Sequence, residues 1–452
     1  MKTSNCVGYN QITPIIKVVD YCNFHCNFCR YSNNPHKSSM TFQTFKTIVE
    51  KACDYNISNG CYQLSITFHG GEPLLWGYDN FVNAIVLEKE LKIKYPQLDI
   101  RNSIQTNGSL LNDRWIDFFS ENNFDIGISI DGPEEINFHK GDTGNKTVIE
   151  NIHKLSQKKC KFGILSVITN DHAGWADKYY EFLVEHDIHS VGFCYCMYDE
   201  DRQITVSNNI LTDFLKQFFI RFYEGEYQLN VREFNNVFKL CLGLRTGSCS
   251  FSKRQRCGNF FSIRPNGDMY FCDPYSLETP PLGNILTETF ASIKAKPELL
   301  KIIAAAKEGA LKECGNCEIK NICGGGCYRS SSLDGKNAFC ETFKSLYPYI
   351  EKVVRSFSKK CRGVIELHLI YLEPMSSMGY NRAKTIMSNG ERILVSMNGL
   401  YDSKKIECKD YPVWDGDRYD ESWSSDSWQD SHRNQIVNFK CLHDIYNTQS
   451  QN

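Results

Sequence analysis

Short apolar runs recur along the first two hundred residues, each separated from the next by room for one helix. β-Rich runs stand at Ile15–Val19, Leu64–Phe68, Ile100–Gln105, Asp125–Ile130, Gly163–Ile168 and Ser190–Phe193. Helix-like patterns fill the intervals near 41–58, 78–95, 111–122, 146–158 and 175–186, and a further one follows at about 209–223. Thr41 and Asn112 sit where N-caps would. Strands that alternate with helices predict a parallel sheet in an α/β fold. Six such units predict a partial (β/α)6 barrel of the TIM type, two units short of a full one.

The residues that break the apolar pattern fall just after the strands. Cys22 follows the first, "HGGEP" (His69–Pro73) the second and "QTNG" (Gln105–Gly108) the third. "SIDGP" (Ser129–Pro133) closes the fourth, "TND" follows the fifth, and Cys194 and Cys196 end the sixth. In (β/α) barrels the loops at this end of the strands converge on the site. Six independent placements therefore predict one shared site.

After about residue 235 the pattern changes: cysteine and glycine become dense between Cys249 and Cys340. After about residue 360 it changes again, to the aromatic, serine-rich and acidic run "YPVWDGDRYDESWSSDSWQDS". Three segments are expected: a barrel over 1–235, a cysteine-rich domain over 236–359 and a tail over 360–452.

Composition narrows the class. The 452 residues are 41% hydrophobic, enough for a sizeable core, and the formal net charge of −2 argues against a nucleic-acid or anionic-membrane surface. No apolar stretch is long enough to span a bilayer and no secretory signal is visible, so a cytoplasmic protein is expected. The 21 cysteines then read as metal ligands rather than disulfides.

Cys22, Cys26 and Cys29 stand in one short stretch with spacing C-x3-C-x2-C. A structural zinc site closes with four ligands, and most iron–sulfur sites use four thiolates. Three thiolates from one loop can instead hold three corners of a [4Fe–4S] cube and leave its fourth iron to an exogenous ligand. S-adenosylmethionine suits that position, because its amino and carboxylate groups can chelate one iron. The competing reading is a zinc site completed by His25 or His69.

C-x3-C-x2-C after the first strand of a (β/α)6 pattern resembles the radical S-adenosylmethionine enzymes. That resemblance implies a 5′-deoxyadenosyl radical that takes hydrogen from an unactivated C–H bond. It also places Gly70, Gly71 and Glu72 at the methionyl amino group. Gln105, Asn107 and Ser129 match polar positions that line the cofactor in relatives. Residue by residue, bland readings stand beside these: Glu72 as a helix-capping acid, the others as turn and cap residues. Relatives commonly carry an arginine for the cofactor carboxylate after "SIDGP". Here "INFHKGD" stands in that place, with Lys140 one position early and unable to act as a bidentate clamp.

Residues 314–327 read "CGNCEIKNICGGGC", spacing C-x2-C-x5-C-x3-C, with Cys340 beyond them. This resembles the SPASM extension of peptide- and protein-modifying radical enzymes, which carries two auxiliary [4Fe–4S] clusters, three clusters in all. The resemblance implies Cys249 (or Cys241), Cys257, Cys272 and Cys327 for one, and Cys314, Cys317, Cys323 and Cys340 for the other. A pair of zinc ribbons is the alternative. Asp273 matches an aspartate proposed in sulfatase-maturing relatives to deprotonate the substrate; a raised pKa would suit it to that work.

The resemblance covers residues 12 to 358, with "HGGEPLL", "QTNGSLLN" and "ISIDGPEEI" close to anaerobic sulfatase-maturing enzymes, which oxidise cysteine or serine to formylglycine. The same runs look like maturases that cross-link ribosomally made peptides. Trp414, Tyr419, Trp423 and Trp428 in the tail, with "WQD" at Trp428–Asp430, tilt the expectation toward oxidative cross-linking. Expected partners are a peptide or protein substrate and a reducing donor such as flavodoxin or ferredoxin.

Overall fold

A computed structural model describes residues 11–29, 37–137, 144–197, 205–241, 246, 248–252, 254, 256–273, 279–330, 336–360, 366–368, 384–388 and 391–396. The six expected strands are β1 (Thr13–Val19), β2 (Gln63–Gly70), β3 (Asp99–Thr106), β4 (Asp125–Ser129), β5 (Phe162–Ile168) and β6 (Ser190–Tyr195). Each pairs in parallel with the next. Helices α1 (Phe42–Ser58), α2 (Tyr78–Lys94), α3 (Asp113–Glu121), α4 (Gly144–Gln157) and α5 (Ala176–Glu185) connect them, and α6 (Asn208–Glu224) follows β6. Both expected N-caps are made. Thr41 Oγ1 accepts from Thr44 N–H at 3.1 Å, and Asn112 Oδ1 from Trp115 N–H at 3.1 Å.

Burial alternates along β2, β3 and β4, although parallel strands are usually apolar on both faces. Leu64, Ile66, Phe68, Ile104, Ile126 and Ile128 form the buried face. Phe68 lies 5.5 Å from Phe45 of α1 and 4.9 Å from Phe81 of α2, ring centre to ring centre. The other face carries Thr67, His69, Ser103, Gln105 and Ser129, all partly exposed. One face of the open sheet is thus the core and the other is a polar lining.

The sheet does not stop at six strands. A short β7 (Asn230–Val231) adds to β6, and α7 (Arg232–Cys241) follows it. The expected boundary near residue 235 therefore falls within a helix. On the opposite edge, β8 (Phe260–Ile263) pairs in parallel with β1, then β9 (Asp268–Phe271) and β10 (Gly283–Asn284) add antiparallel. Ten strands form one sheet, in the order β10-β9-β8-β1-β2-β3-β4-β5-β6-β7. The cysteine-rich segment is built onto the barrel edge.

That segment continues through α8 (Phe290–Lys294), α9 (Pro297–Cys314), α10 (Lys320–Cys323) and α11 (Cys340–Lys360). α11 returns to the barrel, where Thr342 Oγ1 donates to the Asn208 carbonyl at 3.1 Å. Beyond it, the chain forms a small sheet of β11 (Glu366–His368), β12 (Lys384–Ser388) and β13 (Glu391–Ser396). Trp414, Tyr419, Trp423 and Trp428 lie outside the described residues. Among the described residues no helix is long and apolar enough to cross a membrane.

One buried acid makes the fold pH-sensitive. Glu88 of α2 accepts from Asn102 Nδ2 at 2.9 Å on both oxygens, and burial pushes its carboxyl from 4.5 up to about 7. A folded-state pKa above the unfolded one gives stability that is full below the unfolded value and lost as pH rises through the folded one. Glu88→Gln stays neutral throughout. It is expected to exceed the wild type by up to about 3 kcal/mol at about pH 8, with the gain vanishing toward pH 4, by urea denaturation.

Candidate active site

The first three loops are tied to one another in sequence order. Gly71 N–H donates to Val19 O and Glu72 N–H to Tyr21 O, each at 3.0 Å, so the end of β2 lies along the stretch that leads into Cys22. Gly71 has no alternative at this contact. A Cβ there would lie 2.8 Å from Cys22 N and well inside the van der Waals radius of the Tyr21 carbonyl. The two glycines let the second loop press against the chain that leads into the cysteine loop.

Glu72 then joins the second loop to the third. Its carboxylate is fully buried, and Oε1 accepts from Leu74 N–H at 3.0 Å and from Thr106 Oγ1 at 2.8 Å. Oε2 accepts from Asn107 N–H at 2.8 Å. Glu72 is the N-cap of a single 3-10 turn, Pro73–Trp76, with proline in the first position. Burial pushes its carboxyl up to about 7, against these three hydrogen bonds. Its side chain meets donors of this chain, as the capping reading requires.

Asn107 closes the ring. Its Nδ2 donates to Cys22 Sγ at 3.6 Å and to Asn23 Oδ1 at 2.9 Å. Cys22 Sγ also receives Phe24 N–H at 3.3 Å. Burial, the largest influence, raises the Cys22 thiol to about 11, so metal ligation there must displace a proton. Cys26 and Cys29 follow in the same loop, joined by Cys29 N–H to Cys26 O at 3.1 Å. None of the three is in a disulfide.

Further along the polar face, Gln105 Nε2 donates to Ser129 Oγ at 2.8 Å. Gly127 makes room for this, because a Cβ there would collide with the Gln105 amide. Lys140 lies outside the described residues.

Sequence reasoning missed the group beside these. Lys17, mid-strand in β1, is fully buried and forms an ion pair with Asp273. Its Nζ also lies 3.2 Å from His69 Nδ1, directly across the register from it. Gly70 N–H reaches the same nitrogen at 2.8 Å, which assigns the imidazole proton to Nε2. Burial, with Lys17 beside it, lowers His69 to about 4, so the ring is neutral. Asp273 follows β9 and Cys272, and accepts from Ser262 Oγ at 3.4 Å. Burial raises its carboxyl, but the Lys17 cation more than offsets this and holds it below its ordinary range. The raised pKa expected of a proton acceptor is absent, because a buried cation stands against it.

The cysteines of the cysteine-rich segment fall into two sets. Burial is the main influence on Cys249, Cys272 and Cys323. Next to it, Cys249 is raised to about 12 by Cys327 and Cys257, and Cys272 is raised by Cys327 and Cys249. Cys323 is raised to about 12, with Cys314, Cys340 and Cys317 as its thiol neighbours. Cys241, the fallback in the sequence, ends α7 beside Tyr347. Among the described residues, no three His, Cys, Asp or Glu side chains converge as ligands of one metal ion. A cube needs one thiolate at each separate iron, so the sulfurs surround it rather than meet at a point.

An open parallel barrel with a three-thiol loop at one strand end, joined to a module with two further thiol sets, defines an iron–sulfur enzyme of the partial-barrel class. The Radical SAM superfamily pattern matches residues 16–182, and SPASM, an iron-sulfur cluster-binding domain, matches residues 255–318. The cysteine-type anaerobic sulfatase-maturating enzyme of Clostridium perfringens is 30% identical over 357 residues, 73% of this chain and 93% of that enzyme. The serine-type enzyme of Bacteroides thetaiotaomicron is 26% identical over 386 residues, 78% of this chain and 91% of that enzyme. The solved structure of anSMEcpe with bound AdoMet and Cp18Cys peptide superposes with TM-score 0.66 at 27% identity, covering 76% of this chain and 99% of that one. Streptococcus suis SuiB bound to precursor peptide SuiA shares the fold, with TM-score 0.54 at 18% identity over 73% of this chain and 75% of that one.

The chain belongs to the radical SAM superfamily, as a member with a SPASM domain. It is a maturase similar to the anaerobic sulfatase-maturating enzymes, and its cofactors are S-adenosylmethionine and three [4Fe–4S] clusters.

Proposed function

We propose that this enzyme oxidises a cysteine or serine side chain in a peptide segment, in the manner of the sulfatase-maturating enzymes it resembles. Cys22, Cys26 and Cys29 hold the first cluster, and the Gly71 contact fixes the start of their loop. Gly70, Gly71, Glu72, Gln105 and Ser129 frame the nucleotide, with Lys140 near its carboxylate, while the Asn107 amide is turned to the cysteine loop. Cys249, Cys257, Cys272 and Cys327 hold one auxiliary cluster; Cys314, Cys317, Cys323 and Cys340 hold the other. When bound, these groups supply a radical that removes one hydrogen atom from a C–H bond, and a sink for the second electron.

The chain's own part is the proton. The observation that carries the reading is the ion pair of the fully buried Lys17 with the part-exposed Asp273, directly after Cys272. The Asp273 side chain is 32% exposed, so one side meets Lys17 and Ser262 while the rest stays accessible to a substrate. Lys17 keeps it ionised and fixed in place, a weak base that takes the proton once loss of the hydrogen atom has acidified the substrate thiol or hydroxyl. The adjoining Cys272 belongs to the thiol set that would take the electron. Proton and electron acceptors are thus neighbours in the chain. A flavodoxin or ferredoxin is the proposed source of the reducing electron.

Peptide cross-linking is a second reading, favoured by the aromatic tail with Trp428–Asp430. One experiment separates the two. The reduced, cluster-loaded enzyme is given S-adenosylmethionine and either a sulfatase-type cysteine or serine peptide, or the tail peptide alone. An aldehyde trapped by hydrazide on the first peptide supports formylglycine formation. Loss of two hydrogens on the tail peptide, with no aldehyde, supports cross-linking and overturns the first reading.

A further inference from the structure

The Asn107 side chain is fully committed inside the chain. Nδ2 donates to Cys22 Sγ at 3.6 Å and Asn23 Oδ1 at 2.9 Å. Oδ1 accepts from Ser109 N–H at 2.9 Å and Ser109 Oγ at 2.7 Å. A backbone N–H can only donate, so Ser109 fixes which end of the amide is oxygen and which end faces the sulfur. The backbone N–H of Asn107 is held by Glu72 Oε2, and the residue is 7% exposed. The amide has no group left over for the nucleotide it was expected to line.

We infer that Asn107 is a positioning residue that sets the reduction potential of the first cluster through its hydrogen bond to Cys22 Sγ, rather than a contact to S-adenosylmethionine. This rests on the assignment of Cys22, Cys26 and Cys29 to that cluster. Reduction adds negative charge, part of which falls on the ligand sulfurs. A donor aimed at one of them stabilises the reduced form and raises the potential. The Phe24 N–H supplies a second donor to the same sulfur. The ties from Glu72 and Ser109 hold the amide where thermal motion would otherwise turn it away. Glu72 thereby acts on the cluster at one remove, through the chain of Asn107.

The test is an EPR-monitored redox titration of the full-chain holoenzyme. It follows the signal that changes when S-adenosylmethionine is added, which singles out the first cluster among three. At a fixed solution potential, Asn107→Ala is expected to lower the reduced-to-oxidised ratio about tenfold, equal to 59 mV for one electron. Asn107→Asp keeps an acceptor for Ser109 but turns an oxygen toward the sulfur, and its ratio is expected to fall further. Ser109→Ala keeps Asn107 and loosens its amide, so a smaller fall in the same direction is expected. That variant decides the matter if the other two fail to load iron.

Wild-type ratios in iron-loaded variants overturn the inference. So does a lost response to S-adenosylmethionine at unchanged potential, because the amide would then act on the nucleotide. A fully loaded wild-type enzyme with no signal responsive to S-adenosylmethionine is a different result. It removes the assignment of the three cysteines itself.

Discussion

Gly71→Ala is expected to abolish cleavage of S-adenosylmethionine and to remove about a third of the bound iron, one cluster of three, while the barrel stays folded. The added methyl would meet the Tyr21 carbonyl and Cys22 N, which are backbone atoms and cannot swing aside as a side chain could. Overpacking of this kind costs roughly 1–3 kcal/mol when the surroundings relax, too little to unfold a large domain. The relief available is separation of the first two loops at the Gly71 and Glu72 amides. Cys22 would shift with its loop, and a displacement of about 1 Å at a reacting centre can cost about a hundredfold. Iron and sulfide assays with chromatography of 5′-deoxyadenosine check it. Wild-type cleavage in a folded variant would mean that the loops tolerate separation.

Asp273→Asn is expected to lower product formation by about 10²–10⁴ while S-adenosylmethionine cleavage continues. The amide cannot take a proton, yet the hydrogen bonds that tie the first three loops together do not run through it. A stability loss accompanies the change, because Lys17 would remain buried beside a neutral histidine. Breaking a fully buried pair costs about 3–5 kcal/mol. Asp273 is about a third exposed, so the low end of that range applies. Lys17→Met separates these effects. It removes the buried cation and leaves the carboxylate with Ser262 and solvent, so stability is expected to be near wild type while turnover falls. The ratio of product to 5′-deoxyadenosine is the measurement, and an unchanged ratio in both variants would exclude Asp273 from the proton step.

What could be read from the chain followed from local chemistry. Each of the six strands was visible as an apolar run, and Thr41 and Asn112 announced their helices because capping is decided by the nearest residues. The cysteine spacing likewise needs no tertiary context. The misses are all non-local. β8 pairs with β1 across more than two hundred residues, and no short pattern encodes such a partner. Lys17 did leave a trace, a lysine inside the apolar run "TPIIKVV", and a cation at that position of a core strand signals a buried counter-charge. Ser262 left none. Arg254 is similar: it is buried, takes φ of 62° and donates to the Ala306, Gly325 and Gly326 carbonyls, which are assembled only after α9 and α10 fold. The role of Glu72 was ambiguous in the sequence because one carboxylate can serve a ligand or a turn equally well.

The ladder between β1 and β8 has a mechanical meaning. With the two modules stitched along a common edge, rather than strung on a tether, neither can breathe away from the other without breaking a row of backbone hydrogen bonds. Tunnelling rates decay steeply with separation, so under the proposed cluster assignment a stiff seam of this sort would act as a spacer bar for electron hops. Turnover should then vary with the chemistry of the sites and little with solvent viscosity, which governs enzymes whose modules swing together.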